Sequence, residues 1–147
     1  MNRKTMLSDS NRFNTTTNSS WRTSHDLCSS FRYAFNGLFF AIRTQRNFRI
    51  HLFIGSIAFA LGLWLKLNVI NFAVLVLIIT FVIVLELINT AIESVVDLSI
   101  GGHFHPLART AKDCSAASVL VASIASLIIG SFLILPPFFQ RIGFYSA

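Results

Sequence analysis

Glu86 and Glu93 are the only glutamates in the 147-residue chain, and both lie in or beside its longest apolar run. An acid placed in hydrocarbon costs about 2.5–3.5 kcal/mol at a helix centre and less toward the interface, so a scarce residue type in a costly place is a functional candidate. On a helix, the run ELINTAIESVVD puts Glu86 and Glu93 on one face two turns apart, with Asn89 or Thr90 in the turn between them and Asp97 one turn beyond Glu93. Leu87, Ile88, Ala91 and Val95 take the opposite side. Carboxylates so placed can bind a divalent cation, act as a base or relay protons. The structural alternative is that polar residues join helices in a bundle, at about 0.6–2 kcal/mol each; that accounts for Asn89 more readily than for two acids.

A second group of polar residues follows: His103, His105, Lys112 and Asp113. A lysine near carboxylates suits the phosphates of a nucleotide held with Mg2+. There is neither a Walker A sequence nor a GxGxxG loop, so any use of ATP must do without a Gly-rich cradle. Lys112 and Asp113 also read as a neighbouring surface ion pair at a helix start. His103 and His105 form a weak zinc signal, since no further ligands cluster with them. Cys28 and Cys114 belong to no CxxC pair and to no Cys/His cluster.

The elements that must hold these residues are apolar helices. The chain is 54% hydrophobic and 12% charged, against about 25% charged for an average soluble protein. Its apolar residues come in blocks, which points to membrane spans at about 50–67, 72–93 and 116–139. Trp64 and Lys66 suit an interface at the end of the first span. Residues 98–113, with Gly101, Gly102 and Pro106, read as a loop. Pro136 and Pro137 fall near the end of the third span, where helix breaking is tolerated, and its Ala- and Ser-rich first half suits close helix contact. Ahead of the spans, residues 25–46 carry Leu27, Phe31, Ala34, Phe35, Leu38, Phe39 and Ile42 at spacings of three and four, the pattern of an amphipathic helix lying in the membrane interface. Residues 1–24 read as a disordered polar and basic tail or a targeting peptide, and residues 141–147 as a short tail.

The net charge is +6, and most of it lies in the first 50 residues. Basic residues preceding spans follow the positive-inside rule and attraction to anionic lipid, which argues against nucleic-acid binding. The N-terminus and the segment with Arg109 and Lys112 are then cytoplasmic and the C-terminus lies outside. The expected fold is an all-α membrane protein with three transmembrane helices behind an amphipathic interfacial helix. Three helices give little interior per chain, so burial of the polar stripe is expected to be easier in an oligomer.

ELINTAIESVVDL followed by HPLARTAKD, with SFRYAFNGLFFAIRTQRNFRIH before them, resembles the small prokaryotic diacylglycerol kinase family, which includes the undecaprenol kinases, over about residues 29–139. The resemblance implies an ATP-dependent lipid kinase that uses Mg2+, phosphorylates diacylglycerol or undecaprenol in the inner (plasma) membrane and forms a homotrimer with sites at subunit interfaces. It implies Glu86 as catalytic base, Asn89 as its polar partner, Glu93 as metal ligand, and Tyr33, His105, Lys112 and Asp113 as nucleotide contacts. The chain departs from the pattern twice. Gln45 stands where the family has a second metal-binding glutamate, and His103 replaces the glutamate of an EYH triplet. An amide oxygen can ligate Mg2+ but brings no charge, so weaker metal binding or a single metal is expected. The competing class is a non-enzymatic or degenerate relative, an ion- or proton-conducting or helix-packing trimer. A conducting protein needs the glutamates but has no need of Lys112 and Asp113.

Overall fold

A computed structural model describes residues 27–143. Those residues form four α-helices in order: α1 (Leu27–Thr44), α2 (Arg46–Trp64), α3 (Val69–Ile100) and α4 (Pro106–Arg141). The expected tail over residues 1–24, the start of the surface helix at 25–26 and residues 144–147 lie outside the described residues. The described residues fall into two units that meet in sequence between Phe35 and Asn36. The first holds the start of α1, where the Arg32 guanidinium stands 5.5 Å from the Tyr33 ring centroid. The second holds everything that follows.

α1 stops at Thr44 because Gln45 is extended, with φ −97° and ψ 113°. The Arg49 side chain reaches back from α2 and donates to the carbonyls of Ile42 and Arg43, at 3.1 Å each. It thereby satisfies acceptors that the end of a helix leaves open. α2, α3 and α4 are each long and apolar enough to cross a membrane, and the chain is a multi-pass membrane protein.

α3 packs chiefly against α4 and next against α2. Two glycines of α2, seven residues apart, set the α2–α3 approach. A Cβ on Gly55 would meet Ile79 Cγ2 at 2.7 Å, and one on Gly62 would meet Leu75 Cδ2 at 2.8 Å. Small residues let membrane helices approach closely enough for dispersion contacts to hold them. α2 ends in a Schellman turn, with Lys66 N–H bonded to the Leu63 carbonyl and Leu67 N–H to that of Gly62. Lys66 occupies the left-handed position, φ +54°, that favours glycine. Asn68 then caps α3, its side chain accepting from Asn71 N–H at 2.8 Å.

The expected loop over 98–113 is much shorter. α3 runs on to Ile100 and α4 begins at Pro106, leaving residues 101–105 between them. The breakers punctuate helices here rather than clear them away. Gly101, at φ +54°, ends α3, and Pro106 sits in the first turn of α4, where no backbone N–H is needed. His105 Nδ1 accepts from Leu107 N–H at 3.2 Å and caps that helix. Arg109, Lys112 and Asp113 therefore stand on a helix. At the other end, α4 continues through Pro136 and Pro137 to Arg141. There Arg141 stacks 4.8 Å from the Trp64 ring centroid, the amphipathic chemistry of a membrane interface.

Candidate functional site

α3 carries the polar row. Glu86 is only 2% exposed, Asn89 7% and Thr90 6%, while Glu93 is half-buried. A single chain already buries Glu86, Asn89 and Thr90 and leaves Glu93 half-buried and Asp97 exposed. α4 supplies the cover through Ser115, itself buried.

The row is joined by hydrogen bonds rather than by proximity alone. Ser115 Oγ donates to Asn89 Oδ1 at 2.6 Å. Asn89 Nδ2 donates to Glu93 Oε1 at 3.3 Å. Thr90 and Ser94 turn their hydroxyls onto the carbonyls of Glu86 and Thr90 respectively, so neither leaves an open polar atom in the helix interface. His51 of α2 and Glu93 are the titratable groups that act electrostatically on Glu86.

One turn beyond Glu93, Asp97 Oδ1 accepts from Lys112 Nζ at 2.6 Å, bridging the end of α3 to the start of α4. Asp113 pairs instead with Arg109, at 3.6 Å and with both side chains largely exposed. Lys112 and Asp113 are thus neighbours in sequence with different partners. Lys112 and Ser115 are a turn apart on α4, and Ser115 Oγ also lies 2.9 Å from the Lys112 carbonyl. The hydrogen-bonded chain runs from Ser115 through Asn89 to Glu93; Glu86 lies on the same face of α3, and the Asp97–Lys112 pair stands one turn beyond Glu93.

Below Glu86, a cavity of about 380 Å³ opens between α2, α3 and α4. Its walls include Leu75, Ile79 and Val82 of α3, the last one turn from Glu86, with Leu127 and Ser126 of α4 and His51 of α2. A mostly apolar cavity against a polar row can accept an amphiphile.

Gln45 is half-buried at the junction of α1 and α2 and makes no side-chain capping bond. Tyr33 is exposed on α1, in the N-terminal unit. His105 is exposed and caps α4, and His103 is exposed. Among the described residues no group of three or more His, Cys, Asp or Glu side chains is arranged around a metal position. Mg2+ is commonly held by one or two carboxylates with water and substrate phosphates completing its shell. Glu93, a half-buried carboxylate oriented by an amide, suits that role.

Sequence reading misses Ser115 and the use of Asp97. Asp97 falls on the stripe, but its partner is fifteen residues away, across the turn. Ser115 carries no signal that separates it from the other serines of α4.

The sequence profile of the family described as prokaryotic diacylglycerol kinase matches residues 32–134. A diacylglycerol kinase of Synechocystis sp. is 50% identical over 117 residues, covering 80% of this chain and 67% of that protein. Undecaprenol kinase of Bacillus subtilis is 40% identical over 107 residues, 73% of this chain and 86% of that protein. Diacylglycerol kinase of Escherichia coli is 33% identical over 102 residues, 69% of this chain and 83% of that protein. The matched span takes in every candidate residue from Tyr33 to Asp113. The chain belongs to the prokaryotic diacylglycerol kinase family.

Proposed function

We propose that the protein is an ATP-dependent kinase of a membrane lipid alcohol, diacylglycerol or undecaprenol, acting at the cytoplasmic end of α3 as a homotrimer. The observation that carries this reading is the hydrogen-bonded row from buried Asn89 through Glu93, beside Glu86, with Lys112 held at its mouth. A base, a hard-oxygen ligand and a cation are the parts that phosphoryl transfer requires. The homotrimer rests on the family resemblance.

Helix lengths support the location. At 1.5 Å per residue, α3 is about 48 Å long, whereas a hydrocarbon core is about 30 Å thick. A helix of that length carries its last turns past the hydrocarbon, so Glu93 and Asp97 meet the headgroup region while Glu86 lies two turns deeper. Arg109 and Lys112 make this end the cytoplasmic one by the positive-inside rule, the side from which ATP arrives.

In this reading the lipid lays its hydrocarbon in the cavity beside Val82 and presents its hydroxyl to Glu86. The Glu86 carboxylate takes the hydroxyl proton as the oxygen forms its bond to the γ-phosphorus. The bond between that phosphorus and the β–γ bridging oxygen breaks, and ADP leaves. Lys112 exchanges Asp97 for phosphate oxygens and neutralises charge there. Glu93 would hold Mg2+, and the ion bound there would supply charge neutralisation for the phosphates. Gln45 contributes a neutral amide oxygen where a second carboxylate would stand, and His105, Asp113 and Tyr33 are nucleotide contacts.

The test offers purified full-length protein radiolabelled ATP, Mg2+ and each lipid side by side. Label in one phosphorylated lipid supports the reading and names the substrate. No label in any lipid alcohol supports the non-enzymatic class.

A further inference from the structure

Ser115 places its one hydroxyl proton between two acceptors, Asn89 Oδ1 at 2.6 Å and the Lys112 carbonyl at 2.9 Å. The two differ in what they would lose. The Lys112 carbonyl lies inside α4, where the helix ladder supplies the N–H four residues on. Asn89 Oδ1 is buried against α4 and depends on Ser115 as its donor.

The orientation of the Asn89 amide follows. With Oδ1 held by Ser115, Nδ2 faces Glu93 Oε1 and donates to it. The reversed amide would set an acceptor oxygen against a carboxylate that only accepts when ionised. It would also trade the 2.6 Å contact for a weaker arrangement.

We propose that Ser115 is a positioning residue of the site: by donating to Asn89 Oδ1 it fixes the amide, and through the amide the Glu93 carboxylate. It touches neither substrate. Groups that orient a metal ligand at second hand tune how well the ligand holds its metal. The Glu93 part of the proposal rests on the reading of Glu93 as the Mg2+ ligand; the Asn89 part stands on the hydrogen bonds alone.

Two readouts on the full chain in detergent micelles separate these parts. The first is hydrogen exchange of the Asn89 side-chain amide in asparagine-labelled protein, its signal assigned by its loss in Asn89→Asp. The second is the Mg2+ concentration for half-maximal lipid phosphorylation. Ser115→Ala, which suits a helix, is expected to speed Asn89 exchange about tenfold, the scale of one lost hydrogen bond. It is expected to raise the Mg2+ requirement roughly three- to tenfold, with kcat at saturating Mg2+ changed less than about twofold. Ser115→Thr keeps the hydroxyl and is expected to restore both values. Ser118→Ala, which removes only a bond to the Ser115 carbonyl, is expected to change neither. Unchanged Asn89 exchange in Ser115→Ala overturns the proposal. Faster exchange with an unchanged Mg2+ requirement overturns its Glu93 part. A wild-type protein that phosphorylates no lipid overturns the kinase reading, and the exchange result then decides the Ser115–Asn89 link by itself.

Discussion

Lys112, the proposed phosphate contact, is held by the Asp97 carboxylate. Its partner Asp97 is largely exposed, and exposed pairs contribute only about 0–1 kcal/mol, so the contact is cheap to exchange. Lys112→Ala should therefore raise the KM for ATP about tenfold or more, as expected for a lost charge-assisted phosphate contact, and leave the KM for lipid nearly unchanged. Steady-state kinetics with each substrate varied in turn checks this. Gln45→Glu should lower the Mg2+ concentration needed for half-maximal rate, since a carboxylate adds charge where an amide has none; an unchanged requirement would remove position 45 from the metal site. At this scale the sequence was informative where a single helix set the geometry. Glu86, Asn89 and Glu93 share a face because of the helical repeat. The partners Asp97–Lys112 and Asn89–Ser115 cross between helices, and no spacing within α3 announces them.

The helices themselves follow from the apolar blocks, and their ends from capping chemistry that the sequence shows only ambiguously. Gly101, Gly102 and Pro106 read as loop formers because breakers clear away regular structure in most settings. Here Gly101 closes one helix and Pro106 opens the next, which moves Lys112 from a loop onto the second turn of α4. A rigid turn is the better mount for a phosphate contact. Two predictions belong to this scale. Gly62→Leu should destabilise the α2–α3 contact by about 1–3 kcal/mol, the usual cost of overpacking, because even a Cβ meets Leu75 and Phe72 too closely. Lys66→Gly should stabilise the turn by roughly 1 kcal/mol, since only glycine adopts a left-handed backbone without penalty. Denaturation in mixed micelles, monitored by helical circular dichroism, measures both.

At the scale of the molecule, three apolar helices are long enough to cross a membrane, and the proposed topology puts the polar row near the cytoplasmic face by the positive-inside rule. With α2, α3 and α4 each crossing once, Cys114 beside Asp113 should react with a membrane-impermeant thiol reagent from the cytoplasmic side, and a C-terminal tag should be protease-accessible from the other. The multi-pass architecture was legible from composition, because blocks of apolar residues can be satisfied in few ways. The covering of Asn89 within a single chain was not, since it depends on how α4 lies against α3. The most direct test of the account is the rate of lipid phosphorylation by Glu86→Gln beside the wild type, with ATP and Mg2+ saturating. Loss of a positioned base predicts a kcat lower by about 10²–10⁴-fold in a protein that still folds and binds ATP. A variant that phosphorylates lipid at the wild-type rate would contradict the assignment of Glu86 and, with it, the site built around α3.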